Sequence, residues 1–251
     1  MNPENRLLPG SFHALETLQV SGPVHSFKAL NDDFSQIVFW KGCLVPDVAG
    51  EELIQNEALV LSKLRANGIL KPIGQETNGP FPFMVFPWKR FQNLLQVVRE
   101  TEIIFWLGQI RELVETISKV HLQGYVHADI RPENCQFLNS KAYLIDFGMA
   151  RQLGTPFHGP LYSPGFLAPE AKPGQYTWEK SADLYSLGAT LGAGLRNLAP
   201  ATQSKTGKTT RFWNKIQVLC QNLCHADPEQ RPTARKTAKI LLELEISALL
   251  L

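Results

Sequence analysis

The chain has 251 residues, of which 44% are hydrophobic and 19% are charged, and its formal net charge is +2. This composition is ordinary for a globular chain with a sizeable core, and so balanced a charge gives no reason to expect a nucleic-acid partner. No apolar run approaches the roughly 20 residues that a membrane-spanning helix needs, so we expect no membrane span.

Cysteine usage and the first residues of the chain bear on the cellular compartment. The four cysteines are Cys43, Cys135, Cys220 and Cys224, and no two of them form a C-x-x-C pair. Residues 1–6 lack the apolar core of a signal peptide. We therefore expect a reduced, cytoplasmic protein rather than a disulfide-bonded one.

The first part of the chain is rich in strands. Residues 12–20, 24–30 and 34–41 carry aromatic and β-branched side chains and are separated by turn residues, which predicts three strands. Residues 70–74 and 81–86 predict two more, joined by a turn at Asn-Gly-Pro. With the helix described next, the pattern favours a five-stranded antiparallel sheet with one helix.

A helix is predicted at residues 51–67, where apolar residues recur at spacings of three and four. Glu57 lies within this apolar stripe, and a buried carboxylate needs a partner. Lys41, at the end of the third strand, is the natural one. The alternative is that Glu57 lies at the edge of the stripe, in water.

The remainder reads as mostly helical, which makes the fold class α+β. After the Pro-Trp-Lys-Arg segment at residues 87–90, helices are predicted at residues 101–122, 181–195, 212–223 and about 227–249, and residues 196–210 are expected to be a polar connection. Residues 87–90 are interpreted as the link between the two parts, and a plain proline turn is the alternative.

Two polar segments stand out within the helical part. Residues 127–134 read His-Ala-Asp-Ile-Arg-Pro-Glu-Asn, and residues 146–148 read Asp-Phe-Gly. Between them, residues 135–138 and 142–145 predict a hairpin, which brings its two ends together. Asn134 and Asp146 should therefore face one small volume, where their oxygen atoms suit Mg²⁺.

These segments, followed by Ala-Pro-Glu at residues 168–170, resemble the catalytic loop, the metal-binding loop and the end of the activation segment of eukaryotic-type protein kinases. The resemblance covers residues 12–249. It implies one bilobal protein-kinase-like domain over residues 1–251, with an N-lobe at about 12–86, a hinge at 87–90 and a C-lobe at 91–251. ATP and Mg²⁺ are the implied cofactors, bound between the lobes.

The resemblance also assigns roles to individual residues. It implies catalytic roles for Asp129, Arg131, Lys41 and Glu57, and metal binding by Asn134 and Asp146. Lys41 would hold the ATP phosphates and pair with Glu57. Asp129 would accept the proton of the substrate hydroxyl, and Arg131 would neutralise the transferred phosphoryl group.

The implied nucleotide pocket is unusual. Its residues are Val24, Phe39, Phe86, Pro87, Lys89 and Gln136. Phe86 would be the gatekeeper, and the Pro87 carbonyl and the Lys89 N–H would meet the adenine edge. Phe39 stands where the family has alanine, and Gln136 replaces an apolar floor residue. Gln19, Ser21 and Val24 stand at the three glycine positions of the phosphate loop, which predicts a stiffer loop with weaker phosphate contacts.

Other matches carry structural or regulatory meaning. Ala128 replaces the arginine that reads an activation-loop phosphate in many kinases, which argues against that mode of switching. Ser163 corresponds to the hydroxyl that touches the catalytic aspartate in Ser/Thr-directed members. The resemblance gives structural roles to Asp183, as acceptor of catalytic-loop N–H groups, and to a pair between Glu170 and Arg231.

Two classes of function follow. The first is an active Ser/Thr protein kinase, an ATP-dependent transferase whose partner is a protein substrate. The second is a pseudokinase, a binding or scaffolding module with weak or no turnover. The complete set of chemical residues favours the first, and the altered nucleotide pocket favours the second. Transfer to a substrate other than protein is a third reading, which the activation segment disfavours.

Overall fold

The computed structural model describes residues 6–100, 103–158, 165–202 and 207–249. The chain forms two compact units. The first consists of Met1–Lys63, Leu70–Arg90 and Phe147–Met149, and the second of Leu64–Ile69, Phe91–Asp146 and Ala150–Leu251. Within the described ranges, no helix combines the length and the apolar character needed to span a membrane.

The first unit is a curled antiparallel sheet with one helix. Its elements are β1 (Leu7–Leu8), β2 (Phe12–Ser21), β3 (Val24–Leu30), β4 (Ile37–Cys43), α1 (Val48–Lys63), β5 (Gly74–Glu76) and β6 (Phe83–Pro87). The strands follow the order β1-β2-β3-β4-β6-β5.

The prediction of a five-stranded sheet is wrong by one strand, because the described residues of this unit form a sheet of six strands. The additional strand is β1, which pairs with the start of β2 through Leu8 and Phe12. The strand expected at residues 70–74 begins only at Gly74. Pro72 lies in the expected stretch and has no N–H to donate to a ladder, so regular pairing starts after it.

The two faces of this sheet differ. Phe27, Trp40, Phe83 and Val85 lie on one face, in an apolar cluster closed by Leu8 and Phe12 from the start of the chain. Trp40 is fully buried, and its indole N–H donates to the carbonyl of Pro9 at 3.2 Å. Because side chains alternate along a strand, the neighbours of Trp40 on β4 point to the opposite face, which we call the Lys41 face.

Helix α1 buries an apolar stripe that includes Ile54, Ala58 and Leu61. It ends at Lys63, four residues before the predicted end at Asn67. Residues 64–69 instead belong to the second unit. There the carbonyl of Gly68 accepts the N–H of Leu144 at 2.8 Å. This carbonyl therefore bonds to a strand of the second unit instead of to a further turn of α1.

The second unit is mainly helical. Its elements are β7 (Gln92–Asn93), α2 (Leu94–Glu100), α3 (Ile103–Leu122), β8 (Tyr125–Val126), β9 (Cys135–Leu138), β10 (Lys141–Leu144), β11 (Arg151–Gln152), α4 (Lys180–Thr202), α5 (Gly207–Leu223) and α6 (Ala234–Leu249). Helix α3 forms the centre of its core, where Leu107, Ile110, Leu113 and Ile117 are fully buried.

Several boundaries in this unit differ from the sequence prediction. The polar connection expected at residues 196–210 is wrong, because α4 continues to Thr202 and α5 begins at Gly207. Leu195, Leu198 and Ala199 favour helix at the start of this stretch, and α4 also continues past Pro200. Helix α6 begins at Ala234, after a single 3₁₀ turn that Asp227 caps by accepting the N–H of Glu229 at 3.0 Å.

The hairpin between the two polar motifs is present. Strands β9 and β10 pair antiparallel, with Cys135 opposite Leu144 at one end and Leu138 opposite Lys141 at the other. The turn residues Asn139 and Ser140 have φ values of 49° and 65°. Positive φ at both central residues is the type I′ geometry, which matches the twist of the flanking strands and fixes their register.

Candidate active site

Lys41 and Glu57 form an ion pair in the first unit. The Nζ of Lys41 lies 2.7 Å from the Oε2 of Glu57, and their side chains are 11% and 3% exposed. This burial excludes the alternative of a glutamate in water. The backbone of Lys41 is fixed in the middle of the sheet, where it pairs with Ser26 on β3 and with Met84 on β6.

The same glutamate holds the segment that follows Asp146. The Oε1 of Glu57 accepts the N–H of Phe147 at 3.1 Å. The preceding residue on α1, Asn56, donates from Nδ2 to the carbonyl of Gly148 at 2.8 Å and to that of Phe147 at 3.5 Å. Sequence reasoning missed Asn56, because an asparagine before a helical glutamate has no distinctive pattern.

A buried aspartate anchors the loop at residues 127–134 in the second unit. Asp183 accepts the N–H of His127 at 2.8 Å and that of Ala128 at 2.9 Å, and its Oδ2 lies 2.9 Å from Nε2 of His121. Burial opposes ionisation of Asp183, but the hydrogen bond and charge of His121, together with the N–H of His127, outweigh it and hold the pKa below its ordinary value. Asp183 therefore has the structural position that the sequence predicts.

His127 fixes the loop from inside. The N–H of Asp129 donates to Nδ1 of His127 at 3.3 Å, so the ring proton belongs on Nε2, which lies 3.0 Å from the carbonyl of Ile145. Ala128 has a φ of 65°. A left-handed alanine is unfavourable, and the hydrogen bonds on either side of it keep the backbone there.

Asp129 is held by its neighbours in the same loop. The Nδ2 of Asn134 donates to Oδ2 of Asp129 at 2.9 Å and to its carbonyl at 2.8 Å. The Nε of Arg131 lies 3.4 Å from the same Oδ2. The Asp129 side chain is 12% exposed. A carboxylate fixed in this way can accept a proton from a substrate hydroxyl without first reorganising.

Asn134 and Asp146 lie at the same end of the β9–β10 hairpin, where the N–H of Ile145 donates to the carbonyl of Asn134 at 3.1 Å. Because Nδ2 of Asn134 is committed to Asp129, its Oδ1 is the amide atom left to act as a ligand. This oxygen and the carboxylate of Asp146 are the hard donors that Mg²⁺ prefers. Among the described residues, no group of three or more His, Cys, Asp or Glu side chains could hold a metal ion. A two-ligand site fits Mg²⁺, which commonly takes its other ligands from water and substrate phosphates.

The Lys41 face carries the residues predicted to contact the base. Phe39 lies opposite both Lys28 and Phe86 on neighbouring strands. Its ring centroid is 6.0 Å from that of Phe86, at an interplanar angle of 62°. The two rings pack edge to face, so this part of the face is filled by aromatic volume.

The remaining predicted pocket residues are placed as follows. Val24 is buried at the start of β3. Pro87 ends β6 opposite Val38, and Lys89 follows in the irregular stretch that ends the first unit at Arg90. Gln136 lies on β9 in the second unit, where its Nε2 donates back to the carbonyl of Glu133 at 2.6 Å.

The β2–β3 connection is a tight hairpin. Ser21 pairs directly with Val24, so only Gly22 and Pro23 form the turn, and Gly22 has a φ of 57°. Glycine at the first turn position is the type II′ pattern. The connection between β2 and β3 is therefore a two-residue turn rather than a wide glycine-rich loop.

Glu170 and Arg231 form a second ion pair, in the second unit. NH1 and NH2 of Arg231 lie 2.5 and 2.8 Å from the two carboxylate oxygens of Glu170. Arg231 is 5% exposed and also donates to the carbonyls of Ser181 and His225. Ser163 lies outside the described residues.

Comparison with known proteins agrees with this arrangement. The family model described as "Protein kinase domain" matches residues 21–241. Among curated proteins, a cyclin-dependent kinase F-3 of Oryza sativa subsp. japonica is 28% identical over 184 residues, which cover 69% of this chain and 41% of the relative. A calcium/calmodulin-dependent protein kinase type 1 of Caenorhabditis briggsae is 31% identical over 150 residues, or 55% of this chain and 41% of the relative.

The chain therefore spans less than half the length of these two relatives. The match over residues 21–241 nevertheless takes in strand β4 with Lys41, helix α1 with Glu57, the loop with Asp129 and the Arg231 anchor. The resemblance and the α+β, bilobal kinase-like fold predicted from the sequence are confirmed. The chain belongs to the protein kinase domain family.

Proposed function

We propose that this chain is an active protein kinase that transfers the γ-phosphoryl group of ATP to Ser or Thr hydroxyls of a protein substrate. The observation that carries this proposal is the arrangement of Asp129, which is held at 2.9 Å by Asn134 and flanked at 3.4 Å by Arg131. A carboxylate fixed in this way would meet a substrate hydroxyl with little reorganisation, which supports transfer.

The chemistry follows from these positions. The hydroxyl oxygen of the substrate attacks the γ-phosphorus, its proton passes to the carboxylate of Asp129, and the bond from the γ-phosphorus to the bridging oxygen breaks to release ADP. The positive charge of Arg131 beside Asp129 stabilises the charge on the transferred group. Asp129 would align the hydroxyl and also accept its proton, and the variant Asp129→Asn separates the second contribution from the first.

Lys41 would bind phosphate oxygens of ATP. Its pairing with Glu57 at 2.7 Å would fix the position of its ammonium group. Asn134 and Asp146 would hold Mg²⁺, which would supply positive charge to the phosphate groups. Arg131 is a larger and more rigid cation than the family lysine, and its planar fork suits a phosphoryl group.

The second candidate function is a pseudokinase that binds partners with weak or no turnover. Its support is the Lys41 face, where Phe39 packs on Phe86 and the β2–β3 turn has only two residues. Both features reduce what the first unit can offer a nucleotide. This reading predicts weak ATP binding, whereas the first predicts measurable transfer.

The test is incubation of the purified chain with γ-labelled ATP, Mg²⁺ and a generic basic protein, followed by phosphoamino-acid analysis. The matched control is Lys41→Met, which keeps much of the side-chain length and removes the charge. We expect labelled phosphoserine or phosphothreonine with the wild type and a loss of about 10²-fold or more with the variant. Equal labelling by both proteins would contradict the proposal. Absence of labelling together with weak ATP binding would favour the pseudokinase.

A further inference from the structure

We propose that Asn56 is a positioning residue for phosphoryl transfer, which fixes Phe147 and Gly148 on helix α1. This inference rests on the proposed function. It assigns a role to a side chain that neither binds phosphate nor touches the reacting atoms. Its effect would pass through the backbone to the adjacent metal-binding carboxylate of Asp146.

Three hydrogen bonds carry the inference. Nδ2 of Asn56 lies 2.8 Å from the carbonyl of Gly148 and 3.5 Å from that of Phe147. The next residue on α1, Glu57, accepts the N–H of Phe147 at 3.1 Å. Two successive helix residues thus bind a donor and two acceptors of two successive loop residues, which fixes both the position and the orientation of those peptide groups.

The loop needs such support. Asp146 has a φ of 64°, in the left-handed region, which aspartate and asparagine tolerate better than most residues but adopt less readily than glycine does. A left-handed residue persists only where the structure around it holds the backbone. Phe147–Met149 also cluster with the first unit although Asp146 belongs to the second, so α1 holds the residues directly after the point where the chain changes unit.

The chemistry of the side chain is specific. Asn56 meets two carbonyl oxygens, so it must act as a donor, and its amide supplies two N–H groups from one nitrogen. An aspartate has the same shape, but when ionised it only accepts, and it would place negative charge against these carbonyls. Asn56→Asp should therefore harm the loop more than Asn56→Ala, although it fills the same volume.

Helix α1 also provides a matched control. The adjacent Gln55 donates from Nε2 to the carbonyl of Thr77 at 3.1 Å. Gln55→Ala also removes an amide-to-carbonyl hydrogen bond made by this helix, but that bond does not involve the Asp-Phe-Gly loop. The two alanine variants should have similar melting temperatures and differ in the behaviour of the loop.

The first measurement needs no activity. Hydrogen–deuterium exchange is followed in peptides that cover residues 147–150 of the protein without nucleotide. We expect Asn56→Ala to raise exchange there about fivefold, since a neutral hydrogen bond is lost, and Asn56→Asp to raise it further. Gln55→Ala should leave these peptides unchanged. Equal exchange in the wild type and both Asn56 variants, or the same increase with Gln55→Ala, would overturn the proposal.

The second measurement separates positioning from simple stability. With labelled ATP, we expect Asn56→Ala to lower kcat about fivefold and to raise the Mg²⁺ concentration for half-maximal rate, with KM for ATP nearly unchanged. Faster exchange without any change in kcat or Mg²⁺ dependence would overturn the positioning role. If the wild type transfers no phosphate, the proposed function fails and the positioning role with it. The exchange data then decide only whether Asn56 holds the loop.

Discussion

The loop at residues 127–134 and the Lys41 face both carry residues that the proposed reaction would use, but their polar groups are held differently. In the loop, Asp183 binds two successive N–H groups and Asn134 binds the carboxylate of Asp129. On the Lys41 face, Lys41 and Glu57 form an ion pair, and the neighbouring positions predicted to contact the base carry the rings of Phe39 and Phe86.

The difference has a physical origin. A hydrogen-bonded loop requires particular donors and acceptors at particular distances, and a substitution leaves a buried polar group unpaired. An apolar surface requires only suitable volume, so an alanine position can accept phenylalanine if neighbouring side chains adjust. Changes in the loop should therefore act on the rate of transfer or on folding, and changes on the Lys41 face on nucleotide affinity.

The largest expected effect comes from removing the metal ligand at the end of the β9–β10 hairpin. Asp146→Ala should lower turnover by about 10³-fold or more, because the charge on the phosphates is no longer neutralised. Asp146→Asn is the second variant, since asparagine tolerates the φ of 64° observed at this position. Melting temperatures are measured with and without Mg-ATP. Equal gains in mutant and wild type would contradict the metal role.

A structural anchor should affect folding rather than chemistry. Arg231→Ala leaves the carboxylate of Glu170 without its bidentate partner and two carbonyls without a donor, at a cost of about 3 kcal/mol of unfolding free energy. Urea denaturation measures this, with Arg235→Ala as the control, because Arg235 is exposed on α6. An unchanged midpoint in a soluble Arg231→Ala protein would show that the pair is not a folding anchor.

On the Lys41 face, a substitution is expected to raise nucleotide affinity rather than to lower activity or stability. Phe39→Ala should strengthen nucleotide binding by about 1–2 kcal/mol, because it removes the ring that packs on Phe86 and relieves crowding. The control is Phe34→Ala, where the ring is 60% exposed and stacks on His13. Calorimetric titration of ATP compares the three proteins. Weaker binding in Phe39→Ala would mean that the ring stacks on the base, and no change would exclude Phe39 from the pocket.

The smallest expected effect is a pH dependence in the loop. Because the folded-state pKa of Asp183 lies below the unfolded value, its carboxylate contributes stability above about pH 4 that is lost as the pH falls through the folded-state pKa. Asp183→Asn removes this titration. Its free energy of unfolding should depend on pH less steeply below pH 4, by up to about 1.4 kcal/mol per pH unit.

The control for this measurement is Glu229→Gln, at an exposed position of the same unit. Denaturant titrations between about pH 2 and pH 6 give the slopes for the three proteins. If the wild type and Asp183→Asn have parallel curves below pH 4, the buried carboxylate does not have the depressed pKa that its hydrogen bonds imply.

Much of this fold could be predicted from the sequence because its signals are local. Two short apolar runs on either side of Asn-Ser predict the hairpin at residues 135–144. Apolar residues that recur every three or four positions over 20 residues predict α3. Glu57 was paired with Lys41 correctly because a carboxylate in an apolar stripe has few physical solutions.

What could not be predicted depends on contacts between distant segments. Strand β1 is two residues long and exists because Leu8 completes an apolar cluster with β4 and β6. The early end of α1 goes with the hydrogen bond between Gly68 and Leu144, which are 76 residues apart in the sequence. Asn56 acquires its partners only when the chain brings residues 147–148 back to α1.

The most direct test of the central claim is a single-turnover measurement of phosphoryl transfer by the wild type and by Asp129→Asn, with enzyme in excess over γ-labelled ATP. Asparagine keeps the shape of Asp129 but cannot take the hydroxyl proton. The account predicts transfer by the wild type and a loss of about 10²–10⁴-fold in the variant, with ATP affinity unchanged. Equal rates in the two proteins would show that Asp129 is not the group that serves the reaction.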